Sequence, residues 1–310
     1  MSWRFIINAL FVISTSIVII ACQQANSNNT IETNYYPDSL ITNEVEVLDT
    51  TNYTYSWLAK YDAQNALVNH VKLPEGYKRP TRETTDFSSW LQHLPVAKQQ
   101  KVYLYNGAEK YNQQAQYKII DIDVGKKDLQ QCADAVMRLR AEYLFAMQQY
   151  SKIHFNYTNG TNVPYEKWKS GLYPKLKGNN VNWVSSSSNN ASYQSFRNYL
   201  DHIFTYAGTA SLSKELLKVT TLNEIQPGDV FIKGGFPGHA VIVIDVCEHE
   251  VTGNKCFMLA QSYMPAQNIH VLQNPTNHTI SPWYSVAEIE NVVVTPEWTF
   301  EPHQLMRFNN

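Results

Sequence analysis

Long apolar runs are scarce in this 310-residue chain. The run from Phe5 to Ile20 is too short, and too soon followed by polar sequence, for a membrane-spanning helix, which needs about 20 apolar residues. Basic runs are missing as well: 25 Lys and Arg are scattered among 27 Asp and Glu, for a net charge of -2. Nothing in that balance recruits nucleic acid. Cysteine is sparse, with four residues in the whole chain. The helical His-Glu-x-x-His pattern of metalloproteases, the Gly-x-Ser-x-Gly elbow and the Gly-x-x-x-x-Gly-Lys-Ser/Thr phosphate loop do not occur, and no internal repeat is evident. Glu248-His249-Glu250 sits where a hairpin tip is expected and reads as a solvated turn, so no metal and no cofactor is expected.

What is present reads as a globular, exported protein. With 44% hydrophobic and 13% aromatic residues, the chain can bury one large core or two modest ones. Arg4 followed by Phe5 to Ile20, without an acidic residue, has the charged and apolar regions of an export signal. Ile19-Ile20-Ala21-Cys22 matches the bacterial lipobox, in which Cys22 is diacylated and becomes the mature N-terminus. The expected organisation is a signal over residues 1–21, a polar tether over 22–34 and a single α+β domain over 35–310. The expected partner is therefore a membrane, reached through the N-terminal lipid. Gln23, in place of an aspartate after the lipidated cysteine, favours the outer membrane, on its periplasmic face.

Three cysteines are left once Cys22 is assigned to lipid. Cys247 and Cys256 flank a polar stretch with Thr252-Gly253-Asn254 at its centre, which predicts a hairpin and a candidate disulfide across it. Cys132 is then unpaired, either a reactive thiol or a buried core cysteine. A long helix is predicted over 128–150, with Asp128 as N-cap, Gln131 three residues on, and an apolar stripe through Leu129, Cys132, Val136, Leu139, Tyr143, Met147 and Tyr150. Cys132 near its start would feel the positive end of the helix dipole, which favours a thiolate. Asp134 with Arg138 and Arg138 with Glu142 are i,i+4 pairs expected on another face.

Residues 155–218 read as an insertion carrying a helix from Tyr193 to Tyr206, stopped by Gly208, and a short helix over Leu212 to Leu217. Strands are expected over Lys101 to Tyr105 and Tyr117 to Val124, and the main sheet over 226–300. Within that sheet Gly238-His239 opens the apolar run Ala240 to Ile244, a short distance after Pro227-Gly228-Asp229 and the strand Val230 to Ile232. A base such as His239 needs a group to orient its ring, and Asp245, on the same strand, is excluded because six residues of strand put it roughly 20 Å away. Gln261, Ser262 and His270 are the candidates. If Cys247 pairs directly with Cys256, Ser262 shares the histidine's face; a slip of one residue sets Tyr263 opposite His239 and brings Gln261 onto that face. The disulfide and a role for Gln261 coexist only with a bulge between them, and Gln261, whose carbonyl reaches an imidazole N–H better than a hydroxyl does, is preferred.

Gln131-Cys132-Ala133-Asp134, Phe196-Arg197-Asn198-Tyr199-Leu200, Gly234-Gly235-Phe236-Pro237-Gly238-His239 and Leu259-Ala260-Gln261-Ser262-Tyr263-Met264-Pro265 resemble a family of exported bacterial lipoproteins known as domain of unknown function 4846. That resemblance covers most of the chain after the tether and implies the lipoprotein context and a source in the Bacteroidota. A more distant resemblance joins the early helical cysteine and the Gly-His strand to the NlpC and CHAP papain-fold hydrolases, although Gln131-Cys132-Ala133-Asp134 replaces their usual Asp-Cys-Ser-Gly. It implies an α+β papain-like core, a central helix on an antiparallel sheet, with Cys132 and His239 as the catalytic pair; Gln261 is the preferred orienting residue, and Gln131, Tyr263 and Trp283 are expected in the cleft. The expected activity is thiol hydrolysis of amide bonds in cell-envelope peptides, such as those of peptidoglycan; the alternative is a non-catalytic binding lipoprotein on the same fold.

Overall fold

The consecutive β-branched residues Val241-Ile242-Val243-Ile244 suit a pleated strand whose two faces are both covered. The computed structural model, which describes residues 48–309, builds the molecule around that strand. The export signal, Cys22 and the tether lie outside the described residues. The main sheet has nine strands: β1 (Tyr77–Lys78), β2 (Gln116–Ile119), β3 (Leu217–Lys218), β4 (Val230–Lys233), β5 (His239–His249), β6 (Lys255–Gln261), β7 (His270–Leu272), β8 (Tyr284–Ser285) and β9 (Leu305–Arg307). Their order is β2-β7-β6-β5-β4-β9-β3, with β1 beside the far end of β5 and β8 beside β6. Every pairing is antiparallel. Five helices accompany it: α1 (Phe87–Gln92), α2 (Cys132–Ala146), α3 (Tyr165–Lys169), α4 (Tyr193–Tyr206) and α5 (Thr209–Glu215). The fold is thus α+β on an antiparallel sheet, and none of the described helices is long and apolar enough to cross a membrane.

Each face of the sheet owns a core. Ala240, Ile242, Ile244, Met258 and Ala260 pack with Trp90 of α1, Val136 and Leu139 of α2 and Phe196 of α4. Val241, Val243, Phe257 and Leu259 pack on the opposite side with Phe231, Leu305 and Phe300.

The β5–β6 ladder carries the expected irregularity. Cys247 lies opposite Cys256 and Asp245 opposite Met258, but Leu259 pairs with Val243 and Ala260 with Ile242. Ile244 is the extra residue, and beyond it the register is shifted by one. The two cysteine side chains are within hydrogen-bond reach of each other and unbridged in this structure.

Several predicted boundaries move. The central helix runs over Cys132–Ala146 rather than 128–150, and its N-cap is Gln131, whose backbone N–H donates to Asp134 Oδ2 at 3.0 Å. Asp128 is engaged elsewhere: its Oδ1 accepts from Ala266 N (2.7 Å) and Gln131 Nε2 (3.1 Å), tying the approach to the loop after β6. At the other end Gln148 takes a left-handed φ of 56°, so Met147 and Tyr150 fall outside the helix. In place of a single apolar stripe, α2 is buried nearly all round, including Asp134, Arg138, Arg140 and Glu142. Arg138 and Glu142 do pair, at 3.4 Å, but inside the protein, with Asp123 Oδ1 2.7 Å from Arg138 and Tyr193 donating to Glu142 at 2.8 Å. Lys101 to Tyr105 makes only isolated bridges at Tyr103 and Leu104, and the next strand stops at Ile119. The sheet reaches outside 226–300 to recruit β1, β2, β3 and β9, and the short third helix starts earlier, at Thr209. By contrast α4 spans the expected Tyr193–Tyr206, capped by Ser192 accepting from Ser195 N.

The loop between β4 and β5 is pressed against α5. A Cβ on Gly238 would stand 2.6 Å from the carbonyl oxygens of both Gly235 and Lys233, and closer still to Thr209 Oγ1. Two of those neighbours are backbone and cannot swing away. Gly238→Ala should therefore lower unfolding free energy by about 1–3 kcal/mol, measured by urea denaturation; an unchanged midpoint would contradict this packing.

Candidate functional site

His239 is the first residue of β5 and Gln261 the last of β6. The bulge at Ile244 sets their side chains on one face, and His239 Nε2 lies 2.9 Å from Gln261 Oε1. Aromatic rings close round the imidazole: Tyr263 at 4.8 Å, Trp298 at 5.2 Å and Phe300, stacked, at 5.9 Å between centroids. His239 is only 2% exposed, and desolvation pulls its pKa down to about 4, against the opposing pull of the Gln261 hydrogen bond and the Glu297 carboxylate. The ring is neutral at physiological pH.

Behind Gln261 lies a buried polar chain that the sequence did not reveal. Gln261 Nε2 donates to Glu297 Oε2 at 2.7 Å, and Lys110 Nζ approaches the same oxygen at 2.5 Å. Asn112 Nδ2 donates to Glu297 Oε1 at 3.2 Å. Lys110 Nζ also stands 3.4 Å from His270 Nε2, while His270 Nδ1 is 2.9 Å from the Asn268 carbonyl. His270 thus touches Gln261 rather than His239. Ser262 faces the other way, its hydroxyl satisfied by the carbonyls of Gln130 and Gln267. Asp245, remote as expected, holds Arg79 at 2.8 Å and Gln92.

A cleft of ≈ 610 Å³ wraps the end of β5 and is lined by Cys132, His239, Gln131, Tyr263 and Trp298 among others. Phe236 and Met264, 88% and 63% exposed, stand at its edge as unpaired apolar surface. Cys132 begins α2, so its amide is one of the first-turn donors without a helical acceptor. The residue is half-buried, and its sulfur receives the backbone amides of Ala133, Ala240 and Cys132 itself. Burial nevertheless pushes the thiol up to about 11, and the nearby Asp134 adds to the rise. The expected dipole-stabilised thiolate is not found, because desolvation outweighs the amide donors.

The approach to the histidine also differs from expectation. The sulfur meets β5 from the α2 side, at the Ala240 amide, whereas the His239 ring leaves the strand on the side of Trp298 and Phe300. Among the described residues no hydrogen bond joins the Cys132 sulfur to His239. Both groups border the same cleft, from the two faces of the strand end. Of the other expected cleft residues, Gln131 and Tyr263 line it and Trp283 does not. Trp283 is 1% exposed, donates to the Lys72 carbonyl at 2.8 Å and lies under Arg79, so its indole N–H is satisfied in the core. Trp298 is the tryptophan of the cleft.

These features describe an α+β protein with a thiol and a buried, oriented imidazole sharing one cleft at the end of a central strand. The chain belongs to the family described as domain of unknown function 4846, whose model matches residues 67–307. That span contains Lys110, Cys132, His239, Gln261 and Glu297. No curated protein and no solved structure matches the chain.

Two measurements follow from the shifts. With a thiol pKa near 11, the thiolate fraction of Cys132 at pH 7 is on the order of 10⁻⁴. Iodoacetamide should modify the native protein slowly at neutral pH and faster as pH rises, with the added mass lost in Cys132→Ala. Rapid modification at pH 7 is incompatible with such burial. The His239 pKa falls from 6.5 in the open chain to about 4 in the fold. The unfolded state therefore binds the proton first: the contribution is complete above pH 6.5 and disappears as pH falls through 4, a loss of roughly 3 kcal/mol. His239→Gln should flatten the pH dependence of unfolding free energy in that window, and parallel curves for the two proteins would argue against it.

Proposed function

We propose that the cleft is the active site of a cysteine hydrolase that cleaves amide bonds, acting on peptides of the bacterial cell envelope from a lipid anchor at Cys22 in the outer membrane. A papain-like arrangement, with the start of a central helix beside the end of an antiparallel strand, is the fold reading that accompanies it. The observation carrying the proposal is the 2.9 Å contact between His239 Nε2 and Gln261 Oε1 in a cleft that also holds Cys132. A carbonyl only accepts, so Nε2 carries the proton and Nδ1 keeps its lone pair for use as a base.

In the reaction, the Cys132 sulfur attacks the amide carbon as its proton passes to His239 Nδ1, through one water across the strand end. The Cys132 amide, which has no helical acceptor and leaves its own sulfur as that atom turns to the substrate, donates to the developing oxyanion. His239 then returns the proton to the departing amine, leaving a thioester that water hydrolyses. Because the resting pair is a neutral thiol and a neutral imidazole, the sulfur is activated only when a bound substrate completes the cleft.

A second reading, a non-catalytic peptide-binding lipoprotein, is favoured by that raised thiol pKa and by the missing hydrogen bond from sulfur to ring. A peptide vinyl sulfone separates the two. On the hydrolase reading it modifies Cys132 at neutral pH, and His239→Ala slows modification by about 10²-fold or more. Equal rates in His239→Ala and the unaltered protein would leave the binding reading alone.

A further inference from the structure

We infer that Glu297 is a positioning residue that fixes the tautomer of His239, acting through Gln261. A side-chain amide has one accepting and one donating end of nearly equal shape, so its neighbours decide which way it lies. The donating end of Gln261 meets Glu297 Oε2 at 2.7 Å and the accepting end meets His239 Nε2 at 2.9 Å. Turned over, the amide would set its oxygen against a carboxylate and its N–H groups against the imidazole. The carboxylate is itself held in place by Lys110 at 2.5 Å and Asn112 at 3.2 Å.

His270 strengthens the same preference. Its Nδ1 donates to the Asn268 carbonyl, so its Nε2 is an acceptor, reached by Lys110 Nζ and lying 3.5 Å from Gln261 Nε2. Two acceptors therefore face the amide nitrogen, and only a donor can face the amide oxygen. His239 supplies it from Nε2, and Nδ1 is left unprotonated. Tyr263, Trp298 and Phe300 surround the ring without competing for that nitrogen. The catalytic consequence of the tautomer rests on the hydrolase reading, while the tautomer itself does not.

The test uses the full chain labelled with ¹⁵N-histidine, in which long-range ¹H–¹⁵N correlation reports which ring nitrogen carries the proton. His239 is assigned by the signals lost in His239→Gln. The unaltered protein should show pure Nε2–H. In Glu297→Gln alone, Lys110 holds the new amide oxygen at the position it shares with Gln261 Nε2, so pure Nε2–H is expected to persist. The double variant Lys110→Met, Glu297→Gln removes that hold without leaving an unpaired buried lysine; the new amide is free to turn its N–H toward Gln261, Gln261 then presents its own N–H to His239, and a mixture containing Nδ1–H is expected. Should that variant not fold, Lys110→Met, Glu297→Met is read in the same way. Glu297→Asp, which retains the carboxylate, should keep Nε2–H. Pure Nε2–H in the double variant overturns the inference. Because no substrate is present, loss of pure Nε2–H in a chain without hydrolase activity upholds the inference and ends the hydrolase reading. An active chain whose double variant keeps pure Nε2–H does the reverse.

Discussion

One extra residue in β5, Ile244, governs the geometry of the site. Side chains alternate along a strand, so a single insertion exchanges the faces of everything beyond it. On the hairpin side of the bulge Cys247 stands against Cys256; on the other side Val243 and Ile242 are matched to Leu259 and Ala260, and Gln261 shares a face with His239. Without the bulge the unshifted register would give that place to Ser262, whose hydroxyl is too short and is satisfied elsewhere. The same insertion keeps both cores apolar, since Ile244 itself is absorbed on the helix face.

Most of the site's chemistry follows from what is buried beside that face. Desolvation lowers the imidazole pKa and raises the thiol pKa, so the shifts move the two groups away from an ion pair. A pair of this kind holds no charge at rest and depends on directional contacts to remain useful. The imidazole has such contacts in Gln261 and three flanking rings, whereas the sulfur has only backbone amides. The restraint is therefore concentrated on the histidine, the group whose orientation matters for both of its ring nitrogens.

What could be read in advance was whatever depends on near neighbours in sequence or on a ladder. The α4 helix was legible because the Phe196-Leu200-Ile203 spacing and the Gly208 stop agree, and the structure adds the Ser192 cap. The β5–β6 hairpin and its conditional bulge were legible because two cysteines and a histidine had to share one register. The start of α2 was not: Asp128 has the form of an N-cap, but the amide of Ala266, far away in sequence, claims its carboxylate. Trp283 and Trp298 are alike in composition, and only tertiary placement sends one to the core and the other to the cleft. Lys110 and Glu297 gave no signal, since each lies in a polar turn with no periodicity to mark a buried residue.

The Lys110–Glu297 pair nevertheless bears on what the region is for. Side-chain exposures of 6% and 13% mean that both charges are largely desolvated, and well-packed apolar residues in such positions are commonly neutral or stabilising by about 1–4 kcal/mol. Stability alone thus gives little reason for the pair. Arg138 and Glu142 raise the same question inside α2, but there the ions join Asp123 and Tyr193 and link the helix to its surroundings. Around Lys110 the ions end on the amides of Gln261 and Asn112 and on the His270 imidazole, groups whose only ambiguity is which atom donates. A charge pair placed there removes that ambiguity, and its effect is felt at one ring nitrogen at the edge of the cleft.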